Sequence, residues 1–125
     1  MKDPTNPVCR TISTLLSRIG DKWTVLVVQT LGEGSRRFNE LRREIPSVSQ
    51  RMLTLTLRNL ERDGLVSRTV TPSIPPRVDY ELTDLGRSLQ GPICGLATWA
   101  TQHVEEIHTA RERFDHEQDA KAEAA

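Results

Sequence analysis

Aromatic side chains are scarce in this sequence: Phe, Trp and Tyr make up 4% of its 125 residues. Leucine, isoleucine and valine must therefore build the core. Trp23, Phe38 and Tyr80 each sit in an apolar pattern and read as parts of that core rather than as stacking platforms. Cysteine is scarcer still. Cys9 and Cys94 stand far apart with no CxxC and no Cys/His cluster, which excludes a disulfide framework and a zinc site and leaves reduced thiols as the expectation. Long apolar runs are missing too. The longest aliphatic run, Val25 to Val28, falls far short of the roughly 20 residues a membrane span needs. No charged-then-apolar leader opens the chain, so a cytoplasmic protein with no membrane partner is expected. Nothing pairs a nucleophile with a base, cradles a phosphate in glycines or sets two acid-base groups together, so the sequence predicts neither an enzyme nor a cofactor. His108, Glu112 and His116 share a helical face at metal-compatible spacing, but no further cysteine or histidine joins them and no metal is predicted.

Net charge is lacking as well, since 17 Lys and Arg balance 17 Asp and Glu. For a nucleic-acid partner the placement of charge matters more than its sum. Between Ser35 and Thr71 lie Arg36, Arg37, Arg42, Arg43, Arg51, Arg58, Arg62 and Arg68 against Glu40, Glu44, Glu61 and Asp63, a local charge of +4. From Glu105 to Ala125 seven acids meet three bases, a local charge of −4. A basic middle and an acidic tail suggest one face for phosphates and another kept away from them.

What is present is a strict order of periodic segments, enough for one domain. Residues 1–8, with Pro4 and Pro7, read as a mobile arm. Ile12, Leu15, Leu16 and Ile19 form a first helix, stopped by Gly20 in the left-handed conformation. Asp21 caps a second helix, which ends at Gly32 and Gly34. After a short strand near Ser35 to Arg37, Phe38, Leu41 and Ile45 mark a third helix, closed ahead of Pro46. Ser49 caps a fourth, with Leu53, Leu57 and Leu60 on one face and Gly64 at its end. Period two then takes over in Val66–Val70 and Val78–Leu82, separated by Pro72, Pro75 and Pro76, which reads as a hairpin. Thr83 caps a last helix whose apolar stripe runs from Leu85 to Ile107, kinked or split at Gly91 and Pro92. That stripe outruns so small a core and predicts a homodimer. The fold class is mainly α with a small β-hairpin wing: a winged helix-turn-helix over residues 9–113 with a C-terminal dimerisation helix. Its dimerisation helices are 9–19 and 83–113, and an acidic flexible tail follows at 114–125.

Four motifs now stand in order: Ile19-Gly20-Asp21-Lys22-Trp23; Arg37-Phe38-Asn39-Glu40-Leu41; Ile45-Pro46 with Ser49-Gln50-Arg51-Met52-Leu53-Thr54; and Pro75-Pro76-Arg77-Val78-Asp79-Tyr80-Glu81-Leu82-Thr83 followed by Gly86. In these the chain resembles the HxlR-type winged-helix regulators, relatives of the MarR group, from about Cys9 to Trp99. The resemblance implies a dimeric regulator of double-stranded DNA, repressor or activator, that responds to a small-molecule effector or to electrophiles and oxidants. It also implies a redox role for Cys9, which lies within a residue of the reactive cysteine of redox-responsive members. The alternative for Cys9 is a small apolar residue at a helix start. The sequence departs from the pattern at Leu55, where relatives often carry a polar residue, and in lacking a proline after Cys9.

On the helix opened by Ser49, the residues opposite the leucines are Gln50, Arg51, Thr54, Leu55, Arg58 and Arg62, the last two towards the C-terminal end and so nearer phosphates than bases. Gln and Arg make paired hydrogen bonds to adenine and guanine edges, and Leu55 suits a thymine methyl. The plain alternative is a solvated helix face. Arg77 at the hairpin tip fits the minor groove or flanking phosphates, against an unpartnered turn arginine. Arg36, Arg37, Arg42 and Arg43 are further phosphate candidates, although Arg42 and Arg43 cannot both point the same way on a helix. Ile93, Leu96, Trp99 and Ala100 are assigned to the dimer interface or to a ligand cavity within it. The expected mechanism sets two Ser49-capped helices into successive major grooves about 34 Å apart on a pseudo-palindromic operator, with spacing altered by effector or thiol chemistry. Two rivals remain: a winged helix that docks on protein, and an enzyme with a buried thiol.

Overall fold

Asparagine and proline decide where the chain first turns helical. Asn6 caps α1 (Pro7–Ile19), its Oδ1 accepting the Val8 N–H at 2.8 Å, and Pro7 opens the helix where its missing N–H costs nothing. The structure, a computed structural model, describes residues 6–124. Of the arm expected at 1–8, residues 1–5 lie outside the described residues, and Asn6 to Val8 are the cap and first turn of α1 instead.

Asp21 caps α2 (Lys22–Gly32), accepting the Trp23 N–H at 2.9 Å. Between the two helices Gly20 is right-handed, at φ −74° and ψ −13°, and not left-handed as expected. Its N–H still bonds to the Leu16 carbonyl at 3.0 Å, so the helical turn carries straight into the Asp21 cap. The chain continues through β1 (Arg36–Arg37), α3 (Phe38–Glu44), α4 (Gln50–Arg62), β2 (Val66–Thr71), β3 (Arg77–Leu82) and α5 (Asp84–Ala124). Ser49 caps α4, its Oγ accepting the Met52 N–H at 3.0 Å. The left-handed residue falls at Gly64, φ 77°, where α4 gives way to β2.

The three strands form one antiparallel sheet in the order β1-β3-β2, with Arg37 opposite Asp79 and Arg68 opposite Tyr80. The core is aliphatic. Val27, Val28 and Leu31 of α2, Leu41 of α3, Leu53, Leu57 and Leu60 of α4, and Leu82 of β3 are all buried. Thr83 then ties the wing to α5: its hydroxyl donates to the Gly64 carbonyl at 2.6 Å and accepts the Gly86 N–H at 3.0 Å. Gly86 passes so close to the Leu65 carbonyl oxygen that a Cβ there would overlap it.

Two expectations for the last helix need correction. It is not split at Pro92, which lies inside α5; proline removes only one N–H from the ladder, that directed at the Ser88 carbonyl. The tail expected to be flexible from 114 is helical to Ala124, because its Glu, Gln, Arg, Lys and Ala are strong helix formers whatever their charge. The chain divides into two units, Met1–Ile93 and Cys94–Ala125. The first holds the sheet and the core; the second is the continuing helix. Among the described residues no helix is long and apolar enough to cross a membrane.

Candidate nucleic-acid interface

The two faces of α4 have opposite fates. Leu53, Thr56, Leu57 and Leu60 are buried, and Thr56 satisfies its hydroxyl on the Met52 carbonyl at 2.8 Å. Gln50, Arg51, Thr54, Leu55 and Arg58 are exposed, Leu55 to 50%. Leu55 lies on the same exposed face as Arg51 and Arg58, one turn from each. Among the described residues neither Arg51 nor Arg58 is in an ion pair. Thr54 donates its hydroxyl proton to the Gln50 carbonyl at 2.8 Å, leaving its methyl and lone pairs outward. Ser49 spends an oxygen lone pair on the cap, and its own hydroxyl proton stays free to donate.

Beside this face runs a groove of about 500 Å³ lined by Gln50, Thr54 and Arg58 of α4 and by Arg68 and Tyr80 of the wing. Arg68 was counted in the sequence only as charge. The signal that assigns it a place is the two-residue alternation of β2, which sets Arg68 opposite Tyr80. A larger cleft, about 1320 Å³, separates α3 from the hairpin tip, with Arg37, Arg42 and Arg43 on one side and Pro75, Pro76 and Arg77 on the other. Among the described residues Arg37, Arg42 and Arg43 are in no ion pair. The Glu40 carboxylate accepts the Arg37 backbone N–H at 3.0 Å, which holds the start of α3.

Arg77 and Arg36 differ in how much of their guanidinium is spent. Arg77 donates through Nε alone to both Asp79 oxygens, at 3.0 and 3.3 Å, leaving its terminal nitrogens free. Arg36 is drawn away from the phosphate set to which the sequence assigned it. It donates to Glu44 at 2.8 Å, to the Gly34 and Ser35 carbonyls at 3.0 and 3.1 Å, and to Glu33 at 3.3 Å, so it braces β1 against α3. Hydrogen bonding to Glu44 raises the Arg36 pKa and hydrogen bonding to Asp79 raises that of Arg77, so both are fixed cations.

Cys9 lies half-buried in the first turn of α1, Cys94 is exposed, and both are free thiols. Ile93, assigned to an interface by its spacing, belongs to the core at 3% exposure. Leu96, Trp99 and Ala100 are exposed on α5, and the Trp99 ring stacks on His103 with centroids 4.6 Å apart. Among the described residues no three His, Cys, Asp or Glu side chains converge as a metal needs, and His108, Glu112 and His116 are no exception.

Residues 18–108 match the HxlR-like helix-turn-helix family. This chain is an HxlR-family protein. YdeP, an HTH-type transcriptional regulator of Bacillus subtilis (strain 168), is 40% identical over 83% of this chain and 84% of its own. The redox regulator HypR in its reduced form superposes with TM-score 0.72 at 39% identity, over 79% of this chain and 98% of that one. Diamide-treated YodB from B. subtilis gives TM-score 0.67 at 35% identity, over 78% and 96%. The chain is thus a transcriptional regulator, not an enzyme, with the winged-helix fold of its relatives. Its α5 runs 16 residues past the end of the family match, to Ala124.

Proposed function

We propose that this HxlR-type protein binds double-stranded DNA as a homodimer in the cytoplasm and releases or repositions on it when an effector or a thiol oxidant acts. The observation that carries the reading is the division of α4 between a buried leucine face and an exposed face of Gln50, Arg51, Thr54, Leu55 and Arg58. That outer face has the donors and the apolar contact needed to read base edges in a major groove. Arg37, Arg42, Arg43, Arg68 and Arg77 flank it and serve the phosphates, which fix register without reading sequence.

Dimerisation is supported by the exposed Leu96, Trp99 and Ala100 on a helix that has no second helix beside it within its own unit. Thiol control is supported by the similarity to HypR and to diamide-treated YodB, and by the free, half-buried Cys9 in the first turn of α1. The test is selection of binding sites from random duplexes by the purified protein. The expected product is an inverted repeat with half-sites about 34 Å apart; duplexes enriched for no common sequence would leave a protein-docking winged helix as the better account.

A further inference from the structure

We propose that Ile74, at the tip of the wing, is a wedge that enters the minor groove of bound DNA and parts two stacked base pairs there. The wedge rests on the regulator reading and adds to it a residue that selects sequence without a hydrogen bond. Ile74 is fully exposed, at 104%, whereas no other large apolar side chain among the described residues exceeds 66%. A single half-exposed leucine or valine on a protein surface is ordinary. A bare isoleucine in a hairpin connection is not, because such turns favour Gly, Asn, Asp and Ser for their backbone freedom and local hydrogen bonds. Breaks with local chemistry of this kind gather at functional sites.

The tip is built to hold the side chain out. Of the five residues between β2 and β3, Pro72 to Pro76, three are prolines with φ fixed by their rings. The Ser73 hydroxyl donates to the Pro75 carbonyl at 2.8 Å and closes the loop across Ile74. Isoleucine is itself stiff at χ1, so little freedom remains to be lost on insertion. The hairpin also stands clear of the core. In β2 only Val66 is buried, and the exposed residues after it carry the strand about 17 Å along its axis to Thr71.

The surroundings of the tip specify a groove walled by anions. Arg77 follows the loop with its terminal nitrogens free, and Arg37, Arg42 and Arg43 face it across the cleft that Ser73 and Pro75 line. The acid of that cleft, Glu40, is bonded to the Arg37 backbone N–H. A cationic collar around one apolar point matches a duplex, whose phosphates meet the arginines while its base faces meet the isoleucine. Apolar side chains inserted between base steps open them at a cost in stacking that the new contacts offset. Pyrimidine–purine steps unstack most easily, so Ile74 favours TA or CA/TG steps in the operator flanks.

The experiment uses the full chain and the operator it selects, set between flanks of alternating T and A, with 2-aminopurine replacing one flank adenine at a time. Fluorescence of 2-aminopurine rises when its stacking is lost. Binding of the parent protein should raise it at least about twofold at a TA step in each flank. Ile74→Ser should abolish the rise and weaken binding about five- to tenfold, part of what burying an isoleucine is worth, since the unstacking cost disappears with it. The salt slope should not change, because no charge is lost. Ile74→Leu should keep both the rise and the affinity. The side chain is fully exposed in the free protein, so all three proteins should melt alike. A bound parent that raises no fluorescence at any flank position, or a rise that Ile74→Ser keeps, would overturn the wedge and leave the regulator reading standing. A parent that selects no operator would remove that reading and the wedge with it.

Discussion

Replacing Arg77 with alanine removes a wing cation whose terminal nitrogens face outward while Nε is held by Asp79. If each wing meets one phosphate, the slope of log K against log salt falls by about 0.9 per protomer and about 1.8 for the dimer. Between 50 and 200 mM salt, a fourfold change, the advantage of the parent protein over the variant should then shrink by about twelvefold. Asp79→Asn works in the opposite sense: it frees Arg77 and removes a negative charge beside the phosphates, so binding should tighten. Asp79 raises the Arg77 pKa further, so the cation does not titrate in the working range and the slope change should be the same at every pH tested. Fluorescence anisotropy on a labelled duplex at several salt concentrations measures both variants. An unchanged slope in Arg77→Ala would remove the wing from the DNA interface. Arg36→Ala serves as contrast, since its guanidinium braces β1 and α3; it should lower the melting temperature and leave the slope nearly intact.

Leu57→Ala should cost about 2–5 kcal/mol of stability in denaturant melts because Leu57 is 1% exposed, whereas Leu55→Ala on the other face should change stability by less than about 0.5 kcal/mol and weaken the operator complex. Leu96→Glu should convert the proposed dimer to a monomer near 14.1 kDa in sedimentation equilibrium, with the fold retained. Diamide should release the parent protein from DNA and fail to release Cys9→Ser; equal release from both would shift control to Cys94 or to a small ligand.

The order of elements was legible because its punctuation is chemical and local. Asp21, Ser49 and Thr83 each accept the backbone N–H that a helix start leaves free, and the prolines sit between β2 and β3, where no ladder bond is lost. The exposed face of α4 was legible for a related reason: once Leu53, Leu57 and Leu60 are inside, the helical period puts Arg51 and Arg58 outside. What the sequence hid depends on partners distant in the chain or on competition between weak terms. The shortest side-chain bond of Arg36 goes to Glu44, eight residues on, and nothing in the local pattern pairs them. Ile93 continues the α5 stripe perfectly well, yet a stripe does not say which of its members the core takes. The helical residues after 114 were misread because high charge lowers the drive to collapse but not the intrinsic preference for helix.

Whether the outer face of α4 reads bases is tested most directly at Arg51. This residue is exposed, free of ion pairs among the described residues, and lies one residue inside the Ser49-capped start of the helix. Affinity of Arg51→Ala should be measured on the selected operator and on duplexes changed at each base pair of a half-site. The predicted result is a loss of about 1–3 kcal/mol on the operator, with preference relaxed at one base pair and the salt slope nearly unchanged. Unchanged affinity together with unchanged preference at every position would contradict it.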